Sequence, residues 1–182
     1  MAINSKYVVS FRRKIEGKTD YKKRMNLLKS DSNRVIVRLK NNSCVVQLVK
    51  YDETGDKTLL NVNSIELKKV GWNNSLGNLP AAYLTGYMFG KKALKMGLKE
   101  GIFDLGMRSI VKGSRLVVLM KGVIDSGFEV PADIEEYLPT EDRIKGVHIA
   151  QYSQSKDLPK GQFNKIKSKS IDKDFEEVKK KL

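Results

Sequence analysis

Residues 34–51, RVIVRLKNNSCVVQLVKY, decide the architecture. Arg34–Lys40 and Ser43–Tyr51 are rich in β-branched residues and read as strands. Asn41–Asn42 between them suits a tight hairpin turn, because Asn tolerates positive φ better than most residues. Asp52–Lys57 (DETGDK) is the next turn, centred on Gly55, and Leu59, Leu60 and Val62 suggest a third strand. The expectation is a three-stranded antiparallel meander.

Downstream, Pro80 can occupy the first turn of a helix, where its missing N–H costs nothing, and Gly97 makes a C-terminal cap. Ala82, Gly86 and Gly90 repeat every four residues within it, forming a smooth ridge. Each interior glycine costs roughly 1 kcal/mol of helix propensity. Close approach of this helix to the sheet is the expected compensation. Ile102–Leu105 (IFDL) reads as a short strand, and Ser114–Ser126 as a helix capped by Ser114 and ended by Gly127. Thr140 can cap a third helix carrying Ile144 and Val147. Strands followed by helix, strand and helix imply an α/β fold, a mixed sheet with helices packed on it.

Upstream lies a different kind of sequence. Phe11–Lys29, FRRKIEGKTDYKKRMNLLK, holds eight basic and two acidic residues. It breaks at Gly17 and restarts at Thr19–Asp20, a good helix N-cap pair. Tyr21, Met25 and Leu28 then fall on one helical face, which should pack, with Lys22, Lys23 and Arg24 off it. A solvated helix normally intersperses its signs. So lopsided an excess fits a polyanion, because each Lys or Arg set against a phosphate releases a condensed counterion. Arg12, Arg13, Lys14, Lys22, Lys23 and Arg24 can meet phosphates. Tyr7, Phe11 and Tyr21 lie among them and either stack on unpaired bases or pack. Arg34, Arg38 and Lys40 alternate along one face of the first strand, extending the positive surface onto the sheet.

The charge distribution repeats this division. The net charge is +14 over 182 residues. Residues 1–40 carry 12 basic and 3 acidic groups (net +9), residues 41–155 carry 14 and 13 (net +1), and residues 156–182 carry 9 and 5 (net +4). Three parts follow: a basic arm and helix over 1–30, an α/β globular domain over 31–155, and a basic C-terminal extension over 156–182. In that extension Ile171, Phe175, Val178 and Leu182 share one helical face. The helix is short for independent stability and should order against a partner. Cys44 is alone and lies in an apolar strand, so it reads as a small buried hydrophobe in a reducing cytosol. With no apolar run approaching a membrane span, the expectation is a soluble cytoplasmic protein with no membrane partner.

Catalysis finds no home in this pattern. GYMFGKK (Gly86–Lys92) has three residues between its glycines where a phosphate loop needs four, and Lys92 follows Lys91 where Ser or Thr should follow the Lys. His148 is the single histidine, and with one cysteine there is no zinc-ligand set. Asp52, Glu53 and Asp56, at a turn, and Asp133, Glu135 and Glu136, at a loop or helix start, read as solvated charge. A two-metal nuclease needs converging carboxylates, and the first strand has none. No cofactor, metal or small-molecule substrate is expected.

With these residues laid out, the chain resembles the 5S rRNA-binding ribosomal protein family called L-eighteen in archaea and bacteria and protein five in eukaryotes. The matching stretches are RRKIEGKTDYKKR (Arg12–Arg24), RVIVRLKNN (Arg34–Asn42) with Gln47, NLPAAYLTG (Asn78–Gly86), GKKA (Gly90–Ala93), GSR (Gly113–Arg115) and GVHIAQY (Gly146–Tyr152). The extended N-terminal block and the HIA segment look archaeal. The resemblance implies a ribonuclease-H-like sheet without enzymatic activity. It also implies a place in the central protuberance of the large subunit, joining 5S rRNA to the large-subunit rRNA beside a ribosomal protein of the L-five family. Arg12, Arg13, Lys14, Tyr21 and Arg24 match the RNA-contacting arm, and Arg38 and Asn41 the strand and hairpin that face RNA. Lys40, Asn41 and Asn42 stand where the family commonly has Ser-Asn. With Phe11, Lys18, Lys22, Lys23, Arg34, Lys91, Lys92 and Arg115 added, these form the candidate RNA surface. The alternatives are a non-ribosomal RNA-binding protein, an RNA-processing nuclease on a ribonuclease-H-like fold, and a basic protein adhering to anionic membranes or to nucleic acid in general.

Overall fold

The computed structural model describes residues 8–154 and 170–182. Its strands are β1 (Arg34–Leu39), β2 (Cys44–Lys50), β3 (Lys57–Asn63) and β4 (Ile102–Asp104). Its helices are α1 (Arg12–Ile15), α2 (Tyr21–Leu28), α3 (Leu67–Val70), α4 (Leu79–Lys95), α5 (Arg115–Asp125), α6 (Glu141–Lys145), α7 (Val147–Ser153) and α8 (Ile171–Lys181). The sheet order is β3-β2-β1-β4, antiparallel through the meander and parallel between β1 and β4. The meander and mixed sheet are as expected. The chain crosses from the β3 edge to the β4 edge through α4, the long connection that a parallel arrangement requires.

Strand alternation sorts the sheet into two unlike faces. Val35 and Val37 of β1, Cys44, Val46 and Leu48 of β2 and Val62 of β3 are buried in the core with α4 and α5. Arg34, Ile36 and Arg38 point the other way, registered beside Val49, Gln47 and Val45. Cys44 is the buried hydrophobe expected of it, and burial raises its thiol pKa against a smaller opposing effect of the Arg115 charge.

Several local expectations are corrected. Asn41–Asn42 does not use positive φ: among the described residues Asp31 is the only non-glycine that does. The hairpin is held from outside instead, by Arg115 Nη1 donating to the carbonyls of Lys40 and Asn41 (3.3 Å each) and of Gly77 (2.8 Å). The glycine ridge of α4 meets α5, not the sheet. A Cβ on Gly86 would lie 2.2 Å from the Leu119 carbonyl oxygen, and one on Gly122 of α5 would lie 2.2 Å from that of Tyr83. Ser114 takes the N-cap position of α5, but its buried hydroxyl makes no hydrogen bond. The helix expected after Thr140 is two, α6 and α7, broken at Gly146, whose φ of 85° is left-handed.

The C-terminal helix is the largest correction. Ile171, Phe175 and Val178 share a face as predicted, but their partner is the chain's own body: all three are buried, and Phe175 packs its ring 5.3 Å from that of Tyr83. Lys179 Nζ donates to the Tyr83 hydroxyl (2.9 Å), which donates to Asp125 (2.8 Å). Lys156 and the Lys/Ser alternation after it lie outside the described residues.

Candidate nucleic-acid interface

The arm is built without a core. Neither α1 nor α2 has a buried residue. Asp20 caps α2 as expected, its Oδ1 accepting from the backbone N–H groups of Lys22 (3.0 Å) and Lys23 (3.1 Å). The packing face expected of Tyr21, Met25 and Leu28 is not one, for Met25 is 66% exposed. Phe11 and Tyr21 rest against each other, ring centroids 5.0 Å apart, with Phe11 largely exposed. Tyr7 lies outside the described residues.

Polar contacts moor the arm. Lys23 Nζ donates to the Gly106 carbonyl at 3.1 Å. Arg24 Nη2 reaches Asp56 Oδ2 at 2.8 Å, and Arg34 Nη2 reaches the same oxygen at 2.7 Å. Arg34 also donates from Nη1 to Asp104 Oδ2 at 3.0 Å. Burial alone would raise the Asp56 carboxyl. The hydrogen bonds and charges of Arg34 and Arg24 outweigh it and hold the group below the usual carboxylate range. Three sequence expectations change here. Arg34 is 1% exposed and serves as an internal clamp, so it does not extend the positive surface. Arg24 faces the body, tied to Asp56. Asp56 is no solvated turn charge but the joint between arm helix and sheet.

The remaining candidates separate by place. Arg12, Lys14, Lys18 and Lys22 are exposed on the arm, with Arg12 and Lys18 both paired to Glu16. Arg38 is exposed on the uncovered sheet face, and Lys40, Asn41 and Asn42 are exposed at the hairpin tip. Lys91 and Lys92 lie on α4, on the helix-covered side. Lys91 sits 5.3 Å over the Tyr87 ring, and Lys92 pairs with Glu66. Arg115 is half-buried and supports the hairpin from behind. The uncovered face also presents Gln47 and Asn61, cross-strand partners in the row that begins at Ile36. Asn61 is not among the residues that the sequence singles out for the RNA surface, and the signal for its place on this face is the period-2 alternation of β3 against Leu60 and Val62.

Carboxylates do not converge here as hydrolysis would require: Asp56 and Asp104 each face Arg34. Among the described residues no group of three or more His, Cys, Asp or Glu side chains could hold a metal ion. None of the described helices is long and apolar enough to cross a membrane.

The pattern of a family described as ribosomal large subunit proteins 60S L5 and 50S L18 matches residues 5–102. The large ribosomal subunit protein uL18 of Methanosphaera stadtmanae is 45% identical over 157 residues, 86% of this chain and 81% of the relative. That of Methanoregula boonei is 46% identical over 154 residues, 85% of this chain and 88% of the relative. That of Methanothermobacter thermautotrophicus is 37% identical across 100% of this chain and 98% of its own length.

Proposed function

The chain belongs to the family of ribosomal large subunit proteins 60S L5 and 50S L18, and from that membership we propose that it grips 5S rRNA with its arm and the uncovered sheet face. It is a structural constituent of the large subunit of the cytoplasmic ribosome and not an enzyme. The observation that carries the RNA reading is the asymmetry of the sheet. Helices α4 and α5 cover one face, while the other, which the arm crosses at its Arg34 end, displays Arg38, Gln47 and Asn61 beside an arm rich in exposed Arg and Lys. Phosphate contacts from the arm fix register, and exposed Phe11 together with the amide side chains of the sheet supplies stacking and hydrogen bonding to loop nucleotides. Attachment of 5S rRNA to the large-subunit rRNA, beside a neighbour of the L-five family, completes the reading.

The test is binding to 5S rRNA at near-physiological salt with excess tRNA as competitor. Affinity that survives the tRNA is the expected result. Affinity that the tRNA abolishes leaves a general polyanion binder and overturns the reading.

A further inference from the structure

Between the arm and the sheet lies a small cleft of about 70 Å³, walled by residues of the 13–24 segment, β1, β4 and Gly106. That is well below the roughly 300–1,000 Å³ of pockets for drug-sized ligands, so it admits only a small group. Six cations line it, and they divide evenly. Lys18, Arg24 and Arg34 are neutralised by Glu16, Asp56 and Asp104. Arg13, Lys23 and Arg38 are not: among the described residues none of them has a carboxylate within ion-pair distance.

Those three are nevertheless held in place, each by a neutral oxygen. Arg13 Nε donates to Thr19 Oγ1 (2.9 Å), Lys23 Nζ to the Gly106 carbonyl (3.1 Å) and Arg38 Nη1 to the Val37 carbonyl (3.3 Å). Gly106 has φ 61°, and a Cβ there would stand 3.2 Å from Arg38 Nη1, so the glycine lets this guanidinium approach. Of the two carboxylates in the wall, Asp104 takes Arg34 and the Gly106 N–H. Asp20 keeps its charge but turns Oδ1 to the backbone N–H groups that start α2 and makes no ion pair with the three. The Arg34 Nε, buried and without a partner, belongs to the same wall. Positioned cations that repel one another and lack a counter-ion describe an anion site.

We propose that this cleft receives one phosphate group, which Arg13, Lys23 and Arg38 hold together, so that a single phosphate bridges the arm to the sheet. The proposal rests on the rRNA reading for its natural source, an RNA phosphodiester. Its chemistry is equally that of free phosphate, and the test separates the two.

The experiment measures 5S rRNA affinity as a function of salt for the wild type, the single variants Arg13→Gln, Lys23→Gln and Arg38→Gln, and the triple variant. Each phosphate neutralised contributes about 0.7–0.9 to the slope of log K against log salt. Three cations on one phosphate predict that the triple variant loses about one unit of slope. They also predict that each substitution costs less affinity in a background already lacking another of the three. A loss of about three units with additive affinity losses means three separate phosphates and overturns the proposal. An unchanged slope overturns it too. The source is read separately, by titrating inorganic phosphate into the RNA-free protein and following the Gly106 amide against chloride at equal ionic strength. A saturable shift that the triple variant lacks shows a site open to free phosphate. Its absence beside the one-unit slope loss shows a site that takes phosphate only as part of RNA. Should 5S rRNA binding not survive tRNA, the ribosomal reading fails while this titration still reports on the cleft. A shift that persists in the triple variant counts against the site.

Discussion

The α4–α5 pair and the N-terminal arm are held by opposite physics. In the pair, Gly86 and Gly122 bring two backbones within reach of each other, and most of both helices is buried. In the arm, neither helix buries a residue, and attachment runs through Arg24, Lys23 and the Asp56 joint. Close packing is intolerant of added atoms and indifferent to salt. Charge mooring is the reverse, and it leaves the cations of the arm available to another polyanion. One chain therefore combines a rigid body with a basic arm whose own attachment is electrostatic.

The sharpest way to break this comparison is Gly86→Leu. Its Cβ alone meets a backbone carbonyl, which cannot swing aside as a side chain would. The expected cost is upwards of about 3 kcal/mol. At ~2–4 °C per kcal/mol for a protein of this size, the melting temperature drops by roughly 6–12 °C. Met25→Ala on α2 should shift stability by less than about 0.5 kcal/mol. A wild-type melting curve for the Gly86 variant would show that the close approach of α4 and α5 is not there.

Phe175→Ala asks whether α8 belongs with the body or with the grip. Its buried ring anchors a surface helix, so a loss of about 2–3 kcal/mol is expected, at or below the low end for buried aromatics. Amide exchange should rise along α8, while 5S rRNA affinity stays that of the wild type. An affinity that falls with the helix would make α8 part of the RNA surface.

Much of this was legible in the sequence, and the largest misses share a cause. Strand alternation, the Asp20 cap and the short β4 are local signals, and all three hold. The failures concern partners. The α4 glycines announced a close approach without saying to what, and the face of α8 announced burial without saying against what. Arg34 looked like one more exposed cation because its neutralising carboxylates, Asp56 and Asp104, are 22 and 70 positions away. In α4 and α8 periodicity reports which residues seek contact, whereas in α2 the same signal fails, with Met25 66% exposed. Only the fold reports with whom.

Asp56→Asn is the gentlest probe, and it tests the joint itself. The Asp56 carboxyl is depressed in the folded protein, so its contribution is whole above the unfolded value of about 3.9 and is lost as pH falls through the lower folded value. The wild type should therefore lose stability below about pH 4, and the variant should show a shallower acid limb. At neutral pH the variant should be less stable by about 1 kcal/mol, since Asn keeps an acceptor but not the charge that two guanidiniums share. Amide exchange in α2 should rise more than in α4. The substitution also adds one unit of positive charge, so electrostatics alone predicts tighter RNA binding. If mooring orients the arm, affinity instead stays level or falls, because the gain in charge is offset by the cost of ordering a loosened α2 on the RNA. Tighter binding with unchanged α2 exchange would mean that Asp56 merely dilutes the positive surface, and the arm would owe its placement to something other than charge.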